Sequence, residues 1–234
     1  MLFLLLSILW LQDNTDVVHS DLTIHNMPKS KPDTISYDKM KLNINEERKQ
    51  LQILRAARKC TLDSAAEIFT QRLVNGIIPY WYGTAWDYNG YSDVPGQGQI
   101  ACGYLVSTTL KHAGISVNRY RMAQKSAMDG ALMLEPKSQL DIEYTNRDSF
   151  ITRFLRKKKD GLYMLGLSNH VGYLYKSNQE AYFIHSTYLQ PSMVMCEKAL
   201  VSDAMAFSRI FVLADITHNH SLISKWLKGE TLQH

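Results

Sequence analysis

The sequence predicts an α+β domain, with helices first and an antiparallel sheet after them. Three observations predict it. Between Asn45 and Asn75 the apolar residues Leu51, Leu54, Ile68, Leu73 and Val74 recur at helical spacing. The run that follows Cys102 does the same with Leu105, Val106, Thr109 and Leu110. From Leu162 the spacing shortens to β-prone runs, LYMLGL, HVGYLYK and AYFIHST, divided by Ser-Asn and by SNQE as consecutive hairpins are.

The chain opens on MLFLLLSILWLQDNTD, whose apolar run Leu2–Leu11 has the length of a signal-peptide core and is too short to span a bilayer. No Lys or Arg precedes it and no small-x-small cleavage site follows. Residues 1–20 are therefore expected to be a signal peptide, or else a hydrophobic segment packed on the domain, and the export reading places the protein in a bacterial periplasm or outside the cell. Residues 21–44, polar and carrying Pro28 and Pro32, read as a linker or extended arm, and 45–234 as the folded domain.

Within that domain the first helical stretch breaks near Thr61–Ser64, where Thr61, Asp63 or Ser64 can cap a second helix, and Asn75-Gly76 is placed to close it. The next stretch, IIPYWYGTAWDYNGYSDVPGQGQIA, is too broken by Gly and Pro for a helix and reads as a loop lined with aromatics. Such rings either build a ligand groove, with Trp81, Tyr82 and Trp86 binding substrate, or bury themselves on the domain. The helix at Cys102 has Lys111 and His112 in its last turn and Gly114 at its stop. Residues 115–147 read as loops with one short helix. Asp148 is expected to cap a helix through SFITRFLRKK, and FSRIFVLADI to end the sheet.

Composition excludes several classes. With 45% hydrophobic and 21% charged residues the chain can bury a core. A net charge of +4 with one dense basic run, Arg156-Lys157-Lys158-Lys159, suits a solvated helix end, and nucleic acid is not expected as a partner. Three cysteines, Cys60, Cys102 and Cys196, make no metal-ligand spacing, and the pair His218 and His220 has no third and fourth ligand, so neither metal nor cofactor is expected. In an oxidising compartment Cys60 and Cys196 could bridge and leave Cys102 free.

The chemistry gathers at GQGQIACGYLV. It sets Cys102 at a helix start, where unpaired N–H groups and the helix dipole favour a thiolate, with Gly103 beside it to admit a neighbouring chain or a substrate. His170 and His185 lie on consecutive strands, and a helix packed against those strands would complete a Cys–His–His array. Each residue also has a plainer explanation. Cys102 suits a buried apolar site, His170 a turn and His185 a hydrogen-bonded core position, while His112 suits the end of its helix.

In order, PYWYGTAW, ACGYLV, NHVGYLY and FIHSTY resemble the NlpC/P60 cysteine peptidases over residues 77–215. The resemblance implies a papain-like fold, with Cys102 as nucleophile, His170 as base, His185 as the residue that orients it, and Tyr80 beside the oxyanion. It implies hydrolysis of an amide in a peptidoglycan peptide. The family usually has Asp-Cys-Ser-Gly at the nucleophile, whereas this chain has Ala101-Cys102-Gly103. Two alternatives share the pattern: an acyltransferase of the same fold, and an inactive module that holds a glycan or peptide through Trp81, Trp86, Tyr88 and Tyr91.

Overall fold

The computed structural model describes residues 35–233. The expected export segment and all but the end of the expected arm lie outside them. That end is not extended. Helix α1 (Tyr37–Ala56) begins inside the segment expected to be an arm, because Ser36 accepts a hydrogen bond from Lys39 N and Met40 and Ile44 bury on the domain. Thr61 caps α2 (Leu62–Gln71) as the sequence suggests. Gly76 does not close it. A π-helical turn (Arg72–Ile77) and a 3-10 turn (Ile78–Trp81) carry the path onward, since Leu73, Val74, Ile77 and Ile78 all face the core.

Helix α3 (Cys102–His112) follows the aromatic loop and ends before Gly114, whose φ is +95°. Residues 115–147 hold more structure than expected: α4 (Arg119–Ala123), α5 (Ala127–Leu134) and strand β1 (Asp141–Tyr144). Asn146, not Asp148, caps α6 (Arg147–Lys157), and Asp148 lies in its first turn, where a negative charge meets the positive helix end.

The sheet contains β1, β2 (Gly161–Gly166), β3 (Val171–Ser177), β4 (Glu180–Ser186), β5 (Val194–Lys198) and β6 (Ile210–Asp215), in the order β1-β6-β2-β3-β4-β5. Every pairing is antiparallel. Strand β6 is last in sequence but lies between β1 and β2, and α7 (Asp203–Ala206) and α8 (His220–Lys228) complete the chain.

Both faces of the sheet are covered, which is why β2 and β3 are buried at every position and do not alternate apolar with polar. One face carries Met164, Tyr173, Tyr175, Tyr182, Ile184 and Val212 against α1, α2, α3, α5 and α8. The other carries Leu165, Leu174, Phe183, Phe211 and Leu213 against α6 and α7. Strand alternation thus divides the two cores residue by residue. All three cysteines are free thiols, so the Cys60–Cys196 bridge is absent.

Candidate active site

The site lies where β3 begins and β4 ends. The chain reaches it through a loop pinned at several points: Ile100 N donates to Ala85 O at 2.9 Å, Ala101 N to Gly90 O at 2.8 Å, and Ser186 Oγ at the end of β4 to Ile100 O at 2.6 Å. Cys102 then starts α3. Ala101 stands at the cap and its methyl group cannot accept, so no side chain caps this helix. Among the described residues the other seven α-helices each have a capping side chain: Ser36, Thr61, Asn118, Ser126, Asn146, Ser202 and Asn219. The first N–H groups of α3 are consequently left for the Cys102 sulfur and for whatever approaches it.

The sulfur lies within reach of the backbone N–H groups of Val171, Gly103 and Cys102 itself. Those contacts favour the thiolate, yet burial outweighs them and pushes the thiol above its ordinary range. The resting group is therefore a thiol, in place of the helix-activated thiolate expected from position alone. Gly103 admits a neighbouring chain, not a substrate. A Cβ there would come 2.5 Å from Ala123 O, so the missing side chain lets the end of α4 close on α3.

His170, just before β3, and His185, near the end of β4, are 3% and 1% exposed. His170 Nε2 lies 2.8 Å from His185 Nδ1, with the rings nearly perpendicular at 81°. By strand alternation His185 shares the face of Phe183, on which its ring stacks at 4.3 Å, whereas α3 packs on the opposite face through the 2.8 Å bond of Thr109 Oγ1 to Tyr173 Oη. Cys102 accordingly reaches the end of the sheet beside Val171, and the His pair lies on the other face of it. Burial, then the neighbouring His185, holds His170 down at about 3, so it rests as neutral imidazole.

A carboxylate that the sequence reading missed extends the histidine pair. Glu197 of β5 places Oε1 3.0 Å from His185 Nε2. Burial works to raise its carboxyl pKa, but hydrogen bonds from His185 and Ser202, with the nearby Arg147 charge, outweigh this and hold it below the usual glutamate range. The available signal was the alternation in VMCEK, which turns Val194 and Cys196 to one face and Met195 and Glu197 to the other.

The aromatic loop divides between the two expected roles. Trp81 is fully buried, and its Nε1–H donates to Tyr37 Oη at 2.8 Å, so it braces α1 and does not line a groove. The Tyr82 hydroxyl is enclosed and faces the Cys196 thiol without a hydrogen bond of ordinary geometry. Tyr80 donates its hydroxyl proton to Ile35 O, so that proton is not the one offered to an oxyanion as expected. Trp86 does sit at the site: its ring is 6.1 Å from Tyr188, which in turn meets the His170 ring edge-on at 5.5 Å. Tyr88 and Tyr91 are exposed at 80% and 62%.

His218 bonds Asp215 and His220 bonds Asp63, and no cluster among the described residues is built to hold a metal. No described helix is long and apolar enough to cross a membrane. The chain matches no protein-family model, no curated protein and no solved structure.

Proposed function

We propose that this protein is a papain-like cysteine hydrolase of the NlpC/P60 kind, exported from the cell, that cleaves an amide bond in a cell-wall peptide. The observation that carries the reading is the His170 Nε2–His185 Nδ1 hydrogen bond at a sheet end where the Cys102 sulfur rests on the N–H of the next residue, Val171. That bond occupies one nitrogen of His170 and leaves Nδ1 to serve the thiol.

In the reaction, the Cys102 Sγ–H proton passes to His170 Nδ1 as sulfur bonds to the carbonyl carbon. The uncapped N–H groups at the start of α3 hold the oxyanion. The C–N bond breaks, His170 returns the proton to the leaving amine, and a thioester remains. Water then loses a proton to His170 as its oxygen bonds to that carbon. The C–S bond breaks and the proton returns to sulfur. Because both partners rest neutral, the thiol proton leaves only as sulfur bonds to the carbonyl carbon, with the oxyanion donors meeting the charge that forms.

The test is release of new amino groups from purified peptidoglycan. The wild-type chain is expected to release them, and Cys102→Ala and His170→Gln to fall to background. A Cys102→Ala protein that kept the wild-type rate would sink the assignment. The binding-module reading is favoured by the exposed Tyr88 and Tyr91 rings, and it predicts retention on peptidoglycan with no new amino groups from any variant.

A further inference from the structure

Glu197 ends a hydrogen-bonded line that runs from the sheet edge to His170. An ionised carboxylate has only lone pairs, so it accepts, and His185 Nε2 must carry a hydrogen. While His185 is neutral its single N–H is the one on Nε2, so His185 Nδ1 is then an acceptor and His170 Nε2 must donate to it. The one hydrogen of His170 is thereby fixed on Nε2, and Nδ1 is a bare lone pair.

We infer that Glu197 is a positioning residue that sets the tautomers of both histidines and so presents His170 Nδ1 as the base, an inference that rests on the hydrolase reading for its consequence but not for its geometry. Without a carboxylate at this place the line can run backwards. His185 would then hold its hydrogen on Nδ1 and donate to His170 Nε2, and His170 would offer Cys102 an N–H, which cannot take a proton. The carboxylate also faces the positive charge that builds on the pair as the thiol proton arrives.

The surroundings hold Glu197 in this role. The Ser202 hydroxyl hydrogen-bonds to it, and Arg147 lies close enough to favour its charge while pairing with Asp148 at 2.8 Å and donating to Ser202 O at 3.3 Å. Its neighbour Lys198 is engaged elsewhere, 2.7 Å from Glu180. On the other side, Phe183 and Tyr188 flank the His170 ring and bring no charge.

The experiment uses the full chain with ¹⁵N-labelled histidine. Nitrogen shifts separate N–H from bare nitrogens, and His170→Gln and His185→Gln spectra assign the signals. At about pH 7.5 both histidines are expected as Nε2–H tautomers. In Glu197→Gln the side-chain amide can donate as well as accept, and a mixed or reversed population is expected. On peptidoglycan, Glu197→Gln should lower kcat about tenfold with KM unchanged, as loss of a hydrogen-bond partner behind a ligating or catalytic histidine does. Glu197→Asp should recover part of the rate. The acid limb of kcat/KM should move to lower pH once the carboxylate charge is gone.

A wild-type His170 carrying its hydrogen on Nδ1 would overturn the inference without any variant. Unchanged tautomers in Glu197→Gln would overturn it too. Tautomers that switch in a protein with no turnover would uphold the role of Glu197 and discard the hydrolase reading.

Discussion

Gly172 is the position where a single methyl group would disturb the site most. It follows His170 by two residues, so its missing side chain belongs to the face that carries His185. A Cβ there would come 2.6 Å from Ile184 O, 2.8 Å from the Phe183 ring and 2.9 Å from His185 Cβ. Bare backbone is what allows His185 to stack on Phe183 and still reach His170. Gly172→Ala is expected to lower unfolding stability by about 1–3 kcal/mol, the usual range for overpacking a core, as read from the urea midpoint. Hydrolysis should fall much further than stability, because the pair moves apart. Equal losses would mean that the glycine serves only packing. Cys102 makes a second prediction at this scale. Burial holds its thiol above the ordinary range, so alkylation by iodoacetamide in the free protein should keep climbing beyond about pH 8.5. A plateau at neutral pH would show a preformed thiolate instead.

Among the elements, α1 is tied to the Cys102 helix by a short polar chain. Trp81 Nε1–H donates to Tyr37 Oη, and Tyr37 Oη shares a hydrogen bond with His112 Nδ1 at 2.8 Å. His112 lies in the last turn of α3, so the chain spans from the start of α1 to the far end of the helix that carries Cys102. Tyr37→Phe removes the acceptor of Trp81 and the partner of His112, leaving a buried Trp81 N–H unpaired. It should cost about 2 kcal/mol in urea unfolding, with Cys102 alkylation unchanged. A neutral Tyr37→Phe would mean that water replaces the hydroxyl. None of this chain could be read from the sequence, because it joins residues far apart along it. The same limit hid Glu197, whose partner His185 lies across a strand pairing that the sequence does not state. Local signals were legible: the Thr61 cap, the α3 span with its Gly114 stop, and the runs that became β2, β3, β4 and β6. What failed was what local pattern cannot carry. Gly76 looked like a helix stop, but tertiary burial of Leu73 and Ile77 kept the path helical. The run that became β6 was placed last in the sheet because it came last among the strands, and only its pairing to β2 puts it inside.

For the whole molecule, two cores on either side of one sheet leave two histidines held neutral. His170 is held down at about 3 by burial, then by His185. His112 is held at about 4 by burial, then by the charges of Lys41 and Lys111. In the unfolded chain both titrate near about 6.5. Between that value and the folded one, the unfolded chain binds protons that the folded protein refuses. Stability is therefore full above the unfolded value and is lost as pH falls, at up to about 1.4 kcal/mol per pH unit for each such proton. Partial exposure of His112 makes its share smaller. Carboxyl groups enter lower down. Glu197, held below its ordinary value, adds a loss of the same sign below the usual glutamate range, while buried Glu135, pushed up, acts in the opposite sense. The interval from about pH 6.5 to about 5 thus belongs mainly to the two histidines. Urea unfolding across that interval should show the wild-type protein weakening steadily as pH falls. His170→Gln should start less stable at neutral pH yet weaken with a visibly shallower slope, and His112→Asn should flatten it by a smaller amount. Wild-type stability that stays level through this interval would mean that neither ring is kept neutral, and the neutral resting pair assigned to the site would have to be given up with it.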